Sequence, residues 1–280
     1  MNARRLMDFA ALDTRLETQL EAVGVSVSIG EKALLHPTSC VFKPGQVTVI
    51  LGPNGAGKST LMSVLTGQRE PNVGYVQWQG RALQSLPLAD MARLRAFVAQ
   101  ETQVAFDFTV REVVELGRYP HRRQPSSQEA GIPTLAMQST FVNELADRAL
   151  NTLSGGEKAR AHLARALAQV WEASGSGQTR WLFLDEPTAA LDLQHQHRML
   201  QLARTWANEQ GIGVVAVLHD LNLALRYSDS ALLLASGRLL AQGKTPDVLT
   251  PERIAQVWGV AAHPINRSGL LQYVFEPIGQ

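Results

Sequence analysis

The chain has 280 residues, a length that suits one large α/β domain or two small ones and excludes a peptide-sized scaffold that needs cross-links. Its 26 Lys and Arg against 25 Asp and Glu leave a net charge of +1, so no global field advertises nucleic acid or an anionic membrane as partner. A single cysteine, Cys40, excludes an internal disulfide framework and suits a reducing cytoplasm, while 45% hydrophobic residues suffice for a sizeable core.

Taken in chain order, Arg4, Arg5, Asp8, Asp13, Arg15 and Glu17 leave no uninterrupted apolar stretch for a secretory signal, so the chain is expected to stay on the side where it is made. Phe9, Leu12, Leu16 and Leu20 recur as one face of a short amphipathic helix would, within an N-terminal extension over residues 1–19. Val23, Val25, Val27 and Ile29 alternate with small residues and predict a half-buried strand with those four on one face. After a Gly-Pro-rich turn, residues 46–51 form a β-branched run that reads as a buried strand feeding into glycines. Residues 58–66 read as a helix ending at Gly67. Between Thr109 and Leu150 the spacing is helical but broken by Pro120, Pro125 and Pro133, which predicts a mostly helical subdomain inserted over about 101–150. Residues 154–168 form a second strong helix, and 181–184 and 214–218 read as buried strands ending at Asp185 and His219. Strands alternating with helices point to a mainly parallel sheet. No run approaches the roughly 18 apolar residues of a membrane span. Beyond residue 250, Thr250 as cap, Pro251, Glu252 and Gly259 mark a short helix, and the remainder reads as a tail.

The chemistry begins at Gly52-Pro53-Asn54-Gly55-Ala56-Gly57-Lys58-Ser59, which fits G-x-x-x-x-G-K-[ST] in the strand-to-helix context that the motif requires; Thr60 is counted with it. Glycines let backbone N–H groups wrap phosphate oxygens, the helix N-terminus adds positive partial charge, Lys58 can reach the β- and γ-phosphates, and the Ser59 hydroxyl can ligate Mg²⁺. Asp185 and Glu186 follow a buried strand at the end where open α/β sheets place ligands. Asp185 suits Mg²⁺, Glu186 suits a general base that orients and deprotonates water, and His219 would arrive near the γ-phosphate as a donor. Leu153-Ser154-Gly155-Gly156-Glu157 opens a helix, and Ser154 with the glycine amides makes a second anion cradle. Two glycines at a helix start are costly unless something approaches the backbone closely. Two phosphate cradles in one chain suggest two surfaces meeting across an ATP.

This set of motifs, in this order, resembles the ATP-binding cassette (ABC) family over most of the chain, residues 20–250. The resemblance adds Gln100 as a glutamine that senses Mg²⁺ and the attacking water, Ser154, Gly155, Gly156 and Glu157 as the signature, and Asp192 within Ala190-Leu191-Asp192 as a contact to the opposite site. It implies a P-loop α/β domain with a RecA-like core, an antiparallel β subdomain and the inserted helical subdomain. It also implies ATP and Mg²⁺ as cofactors, with Ser59, Gln100 and Asp185 toward the metal. Partners implied are a second copy, two permease subunits and a periplasmic binding protein acting through them. The stretch from Thr109 to His121 and the segments around Trp171 and Gln194 resemble importers of iron chelates, haem and cobalamin, most closely the hemin-import ATPases. Location at the cytoplasmic face of the inner membrane follows. Ferric-siderophore or cobalamin import is the near alternative, and a cassette acting on ribosome or DNA the distant one, since neither a second cassette nor a polybasic face is present. Where many family members stack an aromatic ring on adenine, Ile29 stands here, so adenine is expected to rest on apolar side chains.

His195 and His197 would point about 200° apart on a helix, a poor arrangement for one metal, and are read as solvated positions. No direct haem binding by this chain is expected. Arg118, His121, Arg122 and Arg123 read as a solvated basic loop, with a permease or lipid headgroups as the second reading, and Phe106, Phe108 and Tyr119 are apolar candidates for permease contact.

Overall fold

The computed structural model describes residues 19–99, 107–172, 178–267 and 269–279. In order the chain forms β1 (Leu20–Ile29), β2 (Lys32–Phe42), β3 (Val47–Leu51), α1 (Lys58–Leu65), β4 (Val73–Trp78), β5 (Arg81–Ala82), α2 (Leu88–Leu94) and β6 (Arg95–Val98). There follow α3 (Val110–Glu115), α4 (Ile132–Ser139), α5 (Gly155–Gln169), β7 (Trp181–Asp185), α6 (Leu193–Gln210), β8 (Gly213–Val217) and α7 (Leu221–Tyr227). The chain continues through β9 (Ser230–Ala235), β10 (Arg238–Lys244), α8 (Thr245–Val248), α9 (Pro251–Trp258), β11 (Val260–Arg267) and β12 (Leu270–Pro277).

The central sheet runs β10-β9-β3-β8-β7-β6, parallel except for β10, and every residue of β3, β7 and β8 is buried. A parallel sheet covered on both faces needs apolar residues at successive positions, which is why these strands read as continuous runs. Within β7, Trp181 and Phe183 face a core shared with β1, β2, β4 and α1, while Leu182 and Leu184 face a second core built with α3 to α6. The first core is capped by the antiparallel sheet β2-β1-β4-β5.

Several readings of the sequence need correction. The inward residues of β1 are Leu20, Ala22, Val25 and Val27, because a bulge between Ala22 and Val25 shifts the phase, and Val23 and Ile29 leave the inner face. The segment after Ile29 is not only a turn: it contains the eleven-residue β2, whose Leu35, Thr38, Cys40 and Phe42 point inward. The tail beyond α9 is the β11–β12 hairpin, packed on α7. Thr250, Pro251 and Gly259 do bound α9 as expected, Gly259 with φ 68°.

The basic cluster is only partly a solvated loop. Arg118 is buried, forks onto Glu129 with Nε at 2.9 Å and Nη2 at 2.8 Å, and donates through Nη1 to the Ala168 carbonyl at 2.7 Å. The His121 ring Nε2 pairs with the Gln169 carbonyl at 2.8 Å, while Arg122 lies over the Tyr119 ring. The Arg118 cation thus caps the C-terminal end of α5, where the helix dipole favours it, and His121, whose pKa burial lowers, caps the next carbonyl as a polar ring. His195 and His197 are half-buried rather than solvated: His195 Nδ1 pairs with Asp192, and His197 Nδ1 bonds the Tyr227 hydroxyl at 2.7 Å. Of the apolar permease candidates, Phe108 packs against the second core, Tyr119 is exposed, and Phe106 lies outside the described residues. Among the described residues no helix is long and apolar enough to cross a membrane.

Candidate active site

β3 delivers the chain to Gly52, whose φ of 149° and contact with β9 admit no side chain: a Cβ there would stand 2.1 Å from the Leu234 carbonyl oxygen. The loop is therefore pressed onto the sheet and turns directly into α1, with Gly57 as cap and Lys58 as first helical residue. Lys58 is buried and its Nζ donates to the carbonyls of Gly52 and Pro53, each at 2.9 Å. Burial holds its ammonium below the usual lysine value, with Glu186 and Asp185 pulling the other way. The loop lines an open cleft of about 920 Å³ that also contains Asn54, Gly55, Thr60, Glu186 and His219.

Asp185 closes β7 with the Ser59 hydroxyl beside its carboxylate, and its Oδ1 is buried without a partner. Burial, and then the neighbouring Glu186, raise its pKa; Ser59, Lys58 and His219 oppose that. A buried carboxylate oxygen with no donor, beside a serine hydroxyl and a lysine, is a place prepared for positive charge. Glu186 takes a left-handed backbone, φ 50°, which costs about 1–3 kcal/mol for a non-glycine residue and is typical of functional turns. There Glu186 Oε1 meets His219 Nε2 at 2.7 Å, with side-chain exposures of 15% and 45% respectively. His219 follows β8, one strand over from β7, so the parallel register itself brings the two together.

Ser154 caps α5 in a reciprocal box: its Oγ accepts from the Glu157 N–H at 3.3 Å and Glu157 Oε2 accepts from the Ser154 N–H at 2.8 Å. The close approach expected at Gly155 and Gly156 comes first from this chain itself. A Cβ on Gly156 would lie 3.2 Å from the Ala190 carbonyl oxygen and 3.3 Å from the Leu191 side chain. Asp192 caps α6 by accepting from the His195 N–H at 2.8 Å. Neither Ser154 nor Asp192 lines the cleft that holds Lys58, Glu186 and His219. Gln100 lies outside the described residues.

Some of the cleft wall was not foreseen. Lys32, Ala33 and Leu34 of β2, with Ser236 and Gly237 of the β9–β10 turn, line it, and Ile29 does not. The Gly237 N–H donates to the Ala56 carbonyl at 3.1 Å, and the Gly237 carbonyl accepts from the His36 N–H at 2.7 Å. That turn buttresses the phosphate loop. The only sequence signal for it was Ser236-Gly237 between two apolar runs.

Comparison with known proteins agrees with this arrangement. Residues 35–189 match the family model described as ABC transporter. The hemin import ATP-binding protein HmuV of Methylobacillus flagellatus is 45% identical, covering 84% of this chain and 87% of the relative. The protein of the same name from Gloeobacter violaceus is 46% identical over 88% and 90%. Among solved structures, a chain of a transporter assigned to the metal-chelate type of ABC transporter, in an inward-facing conformation, superposes with a TM-score of 0.76 at 25% identity, over 94% of this chain and 98% of that one. The dimeric bacterial ABC transporter cassette MJ0796 gives 0.70 at 26% identity, over 81% and 98%. With a glycine-rich loop, the strand-end Glu186 and a histidine from the next strand in one cleft, Asp185 buried behind them, and relatives that match along most of its length, this chain belongs to the ABC transporter ATPases.

Proposed function

We propose that the chain is the ATP-hydrolysing subunit of an importer for hemin, working as a homodimer on the cytoplasmic face of the bacterial inner membrane beneath two permease subunits, which a periplasmic binding protein loads. In this reading residues 20–250 are the cassette, with the helical insertion at about 101–150, and 251–280 form the C-terminal appendage. The convergence of Lys58, Asp185, Glu186 and His219 carries the chemistry. The relatives named for hemin import, which match over 84% and 88% of the chain, support the cargo.

The roles follow from what each group can donate or accept. Lys58 exchanges the carbonyls of Gly52 and Pro53 for β- and γ-phosphate oxygens, and the N–H groups from Asn54 to Thr60 wrap the same phosphates. Ser59, Asp185 and Gln100 are the residues toward Mg²⁺; when bound, the ion supplies positive charge to the phosphate oxygens. Asp185 Oδ1, buried without a donor, fits that use, and a single carboxylate with hydroxyl and phosphate oxygens is a set that Mg²⁺ accepts. Glu186 orients the attacking water and takes its proton, and His219 donates to the γ-phosphate. Ser154, Gly155, Gly156 and Glu157 face the nucleotide of the second copy, with Asp192 beside them, which suits their position outside this chain's own cleft. No direct contact with haem or nucleic acid is part of the reading.

The test is the transporter assembled with its permease in vesicles. A hemin-loaded binding protein is expected to stimulate ATP hydrolysis. Stimulation by a ferric-siderophore or cobalamin carrier, and not by the hemin carrier, would move the cargo to that class.

A further inference from the structure

The β11–β12 hairpin is tied to the cleft by an unbroken chain of short bonds. Asn222, in the first turn of α7, uses its side-chain amide as a strand would: Oδ1 accepts from the Tyr273 N–H at 2.8 Å, and Nδ2 donates to the Tyr273 carbonyl at 3.1 Å. Tyr273 is itself fixed, buried with its hydroxyl donating to the Leu249 carbonyl at 2.7 Å. On the other side of Asn222, Asp220 Oδ1 accepts from the N–H groups of Asn222 at 2.8 Å and Leu223 at 2.9 Å, which defines the start of α7. The residue before Asp220 is His219, paired with Glu186 at 2.7 Å. α7 has only seven residues, too short to hold its own axis without packing. Its orientation is therefore decided by what it leans on, and β12 is one of its principal neighbours.

We propose that the C-terminal hairpin is a positioning element for hydrolysis: through the two-bond clamp of Asn222 on Tyr273 it orients the first turn of α7 and thereby aims the His219 imidazole. The inference rests on the reading of His219 and Glu186 as reacting groups and goes beyond it, because the bonds of Asn222 run to Asp220 and Tyr273. An amide that satisfies both backbone groups of one strand residue has little freedom to rotate, so movement of the hairpin is carried into the helix start. Misplacing an acting group by about 1 Å can cost on the order of 10²-fold in rate.

The experiment is a double-mutant cycle on the full-length chain, with kcat and KM for ATP measured in saturating Mg²⁺ and thermal midpoints recorded beside them. Asn222→Ala is expected to lower kcat about tenfold with KM for ATP within about twofold of the wild type. In a His219→Ala background the same substitution is expected to change kcat little further, because the group it aims is gone. Asn222→Asp retains the acceptor for the Tyr273 N–H but sets a charged oxygen against the Tyr273 carbonyl where the donor stood, so the clamp is broken on that side and a lowered kcat is expected from it even where the alanine variant folds poorly. The proposal is overturned by an unchanged kcat in Asn222→Ala and Asn222→Asp while His219→Ala is impaired. An equal fold-loss from Asn222→Ala in both backgrounds also overturns it, since that marks general loosening. Wild-type turnover in His219→Ala alone defeats instead the reading of the cleft on which the proposal stands.

Discussion

Replacing Arg118 by Met tests the claim that this residue pins the end of the signature helix rather than decorating a surface loop. Methionine keeps most of the apolar stem and removes three charge-assisted bonds, two to Glu129 at 2.9 and 2.8 Å and one to the Ala168 carbonyl at 2.7 Å. Side-chain exposures are 7% for Arg118 and 29% for Glu129. Removing one partner of a buried pair costs about 3–5 kcal/mol, but Glu129 can turn partly to water, so about 2–3 kcal/mol is expected here. For a chain of this size that corresponds to a fall of about 3–5 °C in the thermal midpoint. Lysine restores the charge but not the fork, and is expected to recover less than about half of the loss. The guanidinium also holds the Glu129 carboxyl below its usual pKa. A depressed carboxylate contributes stability that is present above its unfolded value, about 4.5, and lost as pH falls through the folded value, so the gap between wild type and Arg118→Met should narrow below about pH 4. Thermal and urea melts at pH 7 and in mild acid measure both effects. Midpoints within about 1 °C at pH 7 would refute the reasoning, since a solvated arginine costs nothing to remove.

Three other expectations follow from the same geometry. Glu186→Gln keeps size and turn but not basicity, so turnover should fall by about 10² to 10⁴ while binding of a fluorescent ATP analogue survives; near-normal turnover would remove Glu186 from its role. Gly52→Ala places a Cβ 2.1 Å from the Leu234 carbonyl oxygen, which forces the phosphate loop off β9 and should abolish analogue binding along with about 1–3 kcal/mol of stability; wild-type affinity would contradict the packing. His162, buried in α5 with no hydrogen-bond partner for either ring nitrogen, has its pKa lowered from 6.5 to about 4, chiefly by burial. A folded value below the unfolded one means that stability is complete above pH 6.5 and lost as pH falls toward 4, about 2 kcal/mol by pH 5. His162→Leu should flatten that part of the urea-midpoint profile, and an equally steep profile in the variant would assign the acid loss elsewhere.

Much of the candidate site was legible because each part of it is local. The phosphate loop, the signature cap and the Asp185-Glu186 strand end are short strings whose backbone geometry follows from their own residues, and α9 was bounded correctly by Thr250, Pro251 and Gly259 for the same reason. Where the sequence misled, the deciding partner lay far along the chain. A bulge paired across to β2 and β4 turned Val23 outward, and the β11–β12 ribbon, with little alternation of its own, takes its place from Asn222 and Leu249. Arg118 and His121 looked solvated until the carbonyls of Ala168 and Gln169 were brought to them.

The glycines of the signature show the division between the two kinds of information. Their presence at a helix start already required that something come close to the backbone, because a missing Cβ is a cost unless the space is used. Only the folded chain shows that Ala190 and Leu191 of the same molecule use it, in the segment that leads to Asp192. By itself the sequence determined which donors and acceptors are available to the proposed chemistry: a glycine-rich loop with its lysine, an acid pair and a histidine. The tertiary structure decided which groups share a cleft, which face away, and what holds each in place. Residue types carry donors, acceptors and backbone freedom wherever they stand, whereas aim and burial arise only from contacts between distant parts of the chain.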